Sequence, residues 1–284
     1  MTGALPRPGA GIGLRAPHLA ALERTRPPVA LLEVHSENCF GAGGRELATL
    51  ERLRAQYPLS LHGVGLSLGS ADALDERHLA AIERLVRRFE PLLVSEHLSW
   101  SSIDGRYAND LLPLPYTRAA LDHLVARIGA VQERLGRRIL VENIASYLEF
   151  GESTMAEWEF VAAVARRSGC AILLDVNNVY VNSVNHGYDA HAYLAAMDPA
   201  AIAQYHVAGH ERGPFGLLDT HATPVAHEVW ALYAEAVARL GPRPTIVERD
   251  ANLPALEALL DEARIADAIL EDRRTPVRVP ERAA

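Results

Sequence analysis

At 284 residues and 49% hydrophobic side chains, the chain can fill one large core, and a single α/β barrel of roughly 250 residues fits as well as two domains. A net charge of -8 argues against a nucleic-acid surface, which needs clustered Lys and Arg. Two cysteines, Cys39 and Cys170, exclude a disulfide framework, and no stretch reaches the ~18 apolar residues of a membrane span, so the sequence reads as soluble and cytoplasmic.

Residues 1–10 read as an N-terminal extension with no apolar signal core, and a first strand-like run covers 11–15. The second run, 31–38, alternates Leu32 and Val34 against Glu33, His35 and Glu37. A helical pattern through Leu47, Leu50 and Leu53 follows it. The third run, 59–67, carries His62, and Leu79, Ile82, Leu85, Val86 and Phe89 then give a helical face at i, i+3, i+4, i+7 spacing. The fourth, 91–100, carries Glu96 and His97; the helix after it runs from Leu121 to Leu135 and stops at Gly136. The fifth, 137–144, carries Glu142, and Ser153 to Glu157 predict a capping box opening a helix that ends at Gly169. The sixth, 170–180, carries Asp175 and Asn177, and the seventh, 202–210, carries His206 and His210. A helix through Val229, Leu232, Tyr233 and Ala236 leads to the eighth, 244–250, which carries Glu248, and a last helix runs from Pro254 to Leu270. Eight strands alternating with helices predict a single-domain (β/α)8 TIM barrel over 11–272, with a loose tail at 273–284.

The polar residues of these strands share a face. Leu174 and Val176 oppose Asp175 and Asn177, Tyr205 and Val207 oppose Gln204 and His206, and Val247 opposes Glu248. One face of a barrel strand packs against helices, so the polar members point into the lumen near its mouth. Burying so many ionisable groups unpaired costs several kcal/mol each, which metal ions or a dense hydrogen-bond network must offset. Two polar loops extend the donor set. Residues 177–187 place His186 over the mouth, and Asp219 and His221, two apart in extended backbone, face the same way. A shell of Asp, Glu and His without thiolate suits iron, although spacing alone leaves zinc and manganese open. A lone strand-end His is more often a structural hydrogen-bonder; seven such strands and two loops point to a metal centre. His18, His78, His123, His191 and His227 read as solvated helix residues, and His35 and His210 as neighbours of ligands or substrate. Asp110 reads equally as a ligand or a loop brace, while Cys39, Cys170, Trp100, Trp158 and Trp230 read as packing residues.

Glu33 to Asn38, Leu61 to Gly69, Ser95 to Trp100, Asp110 to Tyr116, Val141 to Asn143 and Leu174 to Asn178 resemble the multinuclear non-heme iron-dependent oxidative enzymes (MNIO). So do Tyr205 to His210, Asp219 to His221 and Val247 to Asp250, and together these segments span roughly residues 10–260. The resemblance implies a barrel holding two or three iron ions in a mixed Fe(II)/Fe(III) state, with dioxygen as co-substrate. It implies oxidation of cysteines in a ribosomally made precursor peptide, to an oxazolone with thioamide, to a thiooxazole, or with loss of a cysteine carbon. The compact length looks most like the bufferin-type members that modify copper-binding peptides, which favours the thiooxazole. Carried over by motif, the metal ligands are His62, His97, Glu142, Asp175, Asn177, His186, His206, Asp219, His221 and Glu248. Asp175, His210 and Glu248 are the expected catalytic residues, and Glu142 the expected bridging carboxylate.

A Cys-containing precursor peptide is the expected substrate, delivered by a leader-binding partner protein, because a one-domain barrel leaves no segment for a leader-binding module. Two other classes compete: a metal-dependent hydrolase or isomerase of the xylose isomerase-like or endonuclease IV-like barrel type, and a metal-binding partner protein without catalysis.

Overall fold

Eight parallel strands close into one barrel in chain order in the computed structural model, which describes residues 8–41 and 43–272. They are β1 (Ala10–Gly13), β2 (Leu32–His35), β3 (Leu59–His62) and β4 (Leu93–His97). β5 (Leu140–Glu142), β6 (Ala171–Asp175), β7 (Ile202–Val207) and β8 (Thr245–Val247) complete the ring, and β8 pairs with β1. The TIM-barrel expectation holds. The strands are shorter than the sequence runs suggest, because the chain leaves the ladder close to its last inward polar residue: β2 passes into a 3-10 turn at Ser36–Cys39 and β6 directly into a helix, Val176–His186. Most of the expected extension and the whole expected tail, residues 1–7 and 273–284, lie outside the described residues.

Register decides which side chains meet. His35 lies opposite His62, His97 opposite Glu142, and Asp175 opposite His206, so strand ends from both halves of the barrel stand at one level. Side chains two apart on a strand share a face. Below His97, Glu142 and Asp175 on that face come Leu93, Leu140, Leu173 and Ala171, which with Ala203 form a separate apolar cluster. The polar ring therefore sits on an apolar plug. The opposite strand faces join a larger core with the surrounding helices, to which Leu32, Val34, Leu174, Tyr205 and Val247 belong.

Most helices follow the predicted faces. Glu76–Phe89 buries Leu79, Ile82, Leu85 and Phe89, and Asp75 caps it by accepting from the backbone of Arg77 at 2.8 Å and His78 at 3.1 Å. Such a cap is worth about 1 kcal/mol. Arg118–Leu135 ends at Gly136, whose φ of +62° needs a residue free of Cβ strain. The helix expected to open at Ser153 begins instead at Glu157; Ser153 Oγ accepts from Tyr116 N, and Glu159 reaches back to the Ala156 N–H at 3.0 Å.

Three features depart from expectation. The polar stretch after β6 is a helix and not a loop, although Asn and β-branched residues are poor helix formers. Asp175 caps it by accepting from Asn178 N at 2.7 Å, and Asn182 braces it by donating to Ile144 O at 2.9 Å and accepting from Ser146 N at 2.8 Å. A hairpin, Trp100–Ile103 with Arg106–Leu112, rises between β4 and the next helix, and a short one, Glu211–Arg212 with Leu217–Leu218, follows β7. Among the described residues no helix is long and apolar enough to cross a membrane.

Candidate metal centre at the barrel mouth

The ends of β3 to β8 bring His62, His97, Glu142, Asp175, His206 and Glu248 together. His62, His97 and Glu142 form one group whose ligand atoms lie within 4.8 Å of one another; His62, His206 and Glu248 form a second, and Glu142, Asp175, His206 and Glu248 a third. The groups share members. Glu142 Oε2 lies 3.3 Å from both His62 Nε2 and His97 Nε2, while its Oε1 lies 3.4 Å from His206 Nδ1. One carboxylate thus presents its two oxygens to two neighbouring positions, the geometry of a bridging ligand.

The imidazoles are set by their outward nitrogens. His97 Nδ1 donates to Gly63 O at 2.9 Å, which leaves the Nε2 lone pair facing Glu142. His62 Nδ1 pairs with Ser95 Oγ at 2.7 Å and likewise turns Nε2 inward. His206 Nε2 contacts Glu33 Oε1 at 2.9 Å, and Gln204 Nε2 donates to the other Glu33 oxygen at 2.6 Å. A carboxylate behind a metal-facing histidine fixes its orientation and raises its basicity. Glu33 was legible as a lumen residue, yet nothing in its spacing assigned it this task.

Electrostatics show what the ring lacks. Burial, with His97 and His206 alongside, pushes His62 well below the ordinary imidazole range, so it stays neutral. Burial pulls His206 down too, but Glu248, Glu33 and Glu142 overcome it and hold that imidazole well above its usual range. Asp175 is raised well above the usual carboxylate range by burial and by Glu142 and Asp219. Glu248 goes the other way: His206, His221 and His62 outweigh its burial. Glu142 Oε2, Asp175 Oδ2 and His206 Nδ1 are all buried without a hydrogen bond. Buried polar atoms left without hydrogen-bond partners are costly, and cations between them remove that cost. Nitrogen and carboxylate oxygen donors in overlapping groups fit two or more borderline divalent or trivalent ions, iron among them.

The remaining predicted ligands stand at the rim or elsewhere. Asn177 Nδ2 donates to Asp219 Oδ1 at 2.7 Å, and Asn177 Oδ1 accepts from His210 Nδ1 at 2.8 Å. His221 lies between Asp219 at 2.8 Å and Asp250 at 2.8 Å, with Glu248 at 3.6 Å. Asp219 and His221 do face one another, though not through extended backbone: His221 takes a left-handed φ of +49°. Asp250, given no role by sequence, groups with Glu248 and His35 and pairs with Arg15. Asp110 reaches the same cavity, of about 220 Å³, and accepts from its neighbour Leu111 N at 2.8 Å.

His186 does not join them. As the last residue of its helix it meets Ser146, with Nε2 2.8 Å from Oγ and 3.0 Å from the backbone oxygen, and lines the adjoining cavity. The helical path carries it away from the ring that a loop would have let it overhang. His78 is not a free surface residue either. It lies 3.1 Å from Glu37 and groups with Glu37 and Glu96 beneath residues 63–66. Glu37 accepts from Val64 N and Gly65 N, and Glu96 from Leu66 N and His97 N. Gly63 is required here, since a Cβ would lie 2.2 Å from Glu96 Oε1. His18, expected in solvent, is buried with Nε2 2.9 Å from Pro254 O.

Known proteins resemble the chain in sequence and in fold. A UPF0276 protein of Anaeromyxobacter sp. (strain Fw109-5) is 53% identical over 258 residues, covering 91% of each chain. A UPF0276 protein of Acaryochloris marina is 48% identical, covering 94% of this chain and 96% of its own. Among solved structures, endonuclease IV from Thermus thermophilus superposes with a TM-score of 0.60 at 19% identity, covering 93% of this chain and 100% of its own. A D-psicose 3-epimerase superposes at 0.56 and 14% identity, covering 93% and 96%. At such identities these two share the barrel architecture, and nothing about activity follows. The model of the RiPP precursor modification enzyme MbnB/TglH/ChrH matches residues 9–271. The chain belongs to that family of precursor-peptide modification enzymes, the MNIO family its motifs resemble.

Proposed function

We propose that this protein is an iron-dependent, dioxygen-using oxidase that modifies cysteine residues of a ribosomally synthesised precursor peptide. The observation that carries the reading is the overlap of three donor groups through Glu142, His206, His62 and Glu248, in a chain of a peptide-modifying family. His62, His97, Glu142, Asp175, His206 and Glu248 would hold two or three iron ions, which would supply Lewis acidity for a substrate thiol and electrons for the reduction of dioxygen.

The chain's own residues do the rest. His62 and His97 present fixed Nε2 atoms, His206 presents Nδ1 with Glu33 behind it, and Asp175 and Glu248 close the ring. Asn177, in the first turn of the helix Val176–His186, and the loop residues Asp219 and His221 complete the mouth. Burial keeps His210 below the usual imidazole range, its Nδ1 pairs with Asn177, and among the described residues no hydrogen bond takes its Nε2, which in this reading accepts a proton from the peptide. The apolar plug beneath the ring excludes water from below.

Our preferred product is a thiooxazole. Its formation removes four hydrogens from the cysteine and the preceding amide, and their four electrons reduce one dioxygen to two waters. A separate leader-binding protein delivers the peptide, because ordering a flexible chain at the mouth is costly and a docking surface raises its local concentration. The test is aerobic, iron-replete co-expression with the candidate peptide, with and without the partner, followed by intact-mass measurement. Loss of about four mass units per modified cysteine, only with the partner, is expected. An unchanged mass with every partner present contradicts the oxidase, and full conversion by this chain alone contradicts the partner requirement.

A further inference from the structure

One stretch of backbone separates two cavities. Ile144, Ala145 and Tyr147 line the metal-side cavity, whereas Ser146, Leu148 and Glu149 line a neighbour of about 200 Å³. Asp110 and Leu111 against Pro113 and Leu114 divide the opposite wall in the same way. The second cavity is walled by Tyr116, Trp158 and Tyr188, and Glu157 lies in its lining.

Glu157 is 8% exposed, and its two oxygens accept from Asn182 Nδ2 at 3.1 Å and Tyr193 O–H at 3.2 Å. Both donors are neutral, and among the described residues no Arg or His forms an ion pair with it. Burial raises its carboxyl to about 7. Each oxygen retains acceptor capacity, since an ionised carboxylate offers about four lone-pair sites. Glu149 adds a second, exposed carboxylate, 3.9 Å from Nδ1 of His186, which lines the same cavity. A buried acid without a counter-ion, in a cavity lined also by three aromatic side chains, offers a cation a charge-assisted hydrogen bond with aromatic rings close by for cation–π contact.

We propose that this second cavity is a side-chain subsite for a basic residue, lysine or arginine, of the peptide whose cysteine enters the metal-side cavity. That the ligand is part of a peptide rests on the functional reading above; its cationic chemistry rests on Glu157 and the aromatic walls. Residues 144–149 line both cavities in turn, so the basic residue lies close to the cysteine along the peptide.

The probes are Nα-acetyl-lysine N-methylamide and its neutral counterpart Nα-acetyl-norleucine N-methylamide, titrated calorimetrically into the metal-loaded protein. Expected is binding of the lysine probe about tenfold tighter, a difference that Glu157→Gln removes and that Glu76→Gln, at an exposed acid on the helix Glu76–Phe89, preserves. Circular dichroism checks the fold, and Trp158→Leu, which weakens the lysine probe more than the norleucine one, carries the test if Glu157→Gln does not fold. Equal affinity for the two probes, an unchanged preference in the Glu157 or Trp158 variants, or loss of the preference in Glu76→Gln overturns the proposal. No turnover is read, so a failed oxidase assay leaves these outcomes intact, and a failed subsite leaves the oxidase reading intact.

Discussion

Replacing Glu33 by Gln tests whether the group behind a ligand matters as much as the ligands. Glu33 is 1% exposed, touches His206 Nε2 at 2.9 Å and accepts from Gln204 Nε2 at 2.6 Å. The substitution keeps the shape but removes the charge. It also leaves one of two arrangements, each with a fault: the new amide nitrogen faces either the Gln204 amide nitrogen or His206. A hydrogen bond to a charged group is worth about 1.5–3 kcal/mol, and tenfold in affinity is about 1.4 kcal/mol, so one to two decades of metal affinity are at stake. Loss of such outer partners typically costs about 10–100-fold, the same range. Competition against a chromogenic chelator under anaerobic conditions reads the change, with circular dichroism as the check on folding. A Glu33→Gln protein that binds metal as tightly as the parent refutes the role given to Glu33.

Two further predictions follow from the same geometry. Asp175→Asn should lose most bound metal while keeping the metal-free melting temperature, because Asn still caps Val176–His186; Asp175→Ala should lose metal and about 1 kcal/mol of stability as well. Elemental analysis and thermal melts separate the two, with His227→Ala, an exposed helix residue, as the neutral control; a metal-replete Asp175→Asn protein removes Asp175 from the ligand set. The Glu157 carboxyl, raised from 4.5 to about 7, makes the folded chain bind more protons than the unfolded one between those values. Its contribution to stability therefore falls as pH rises through that window and levels off above it, by at most about 3 kcal/mol. Denaturant unfolding at pH 4.5 and 8 should show a larger fall in stability in the parent than in Glu157→Gln, because Asp175 and His206 contribute to the fall in both; parallel slopes contradict it.

The sequence disclosed the barrel because both periods were clear. Alternation in β2, β6 and β7 named the inward face, and the faces of Glu76–Phe89 and Arg118–Leu135 named the helices. It disclosed His62, His97, Glu142, Asp175, His206 and Glu248 because strand ends in a parallel barrel share one level. Where side-chain bonds between distant segments override local preference, it was silent. Val176–His186 is helical through Asp175 and Asn182, contacts that span up to 38 residues, and that path moves His186 out of the ring. Glu33 is 171 residues from Gln204, and Asp250 is 235 from Arg15, so neither role could be read from spacing. His78 looked like a helix-surface residue because its partners, Glu37 and Glu96, come from two other segments.

Metal content after purification without oxygen tests the central claim most directly, since every role assigned above depends on a polynuclear iron site at the barrel mouth. The account predicts two to three iron ions per chain by elemental analysis, with ferrous and ferric iron both present in the Mössbauer spectrum. Less than one iron per chain after reconstitution, with zinc at full occupancy, contradicts it.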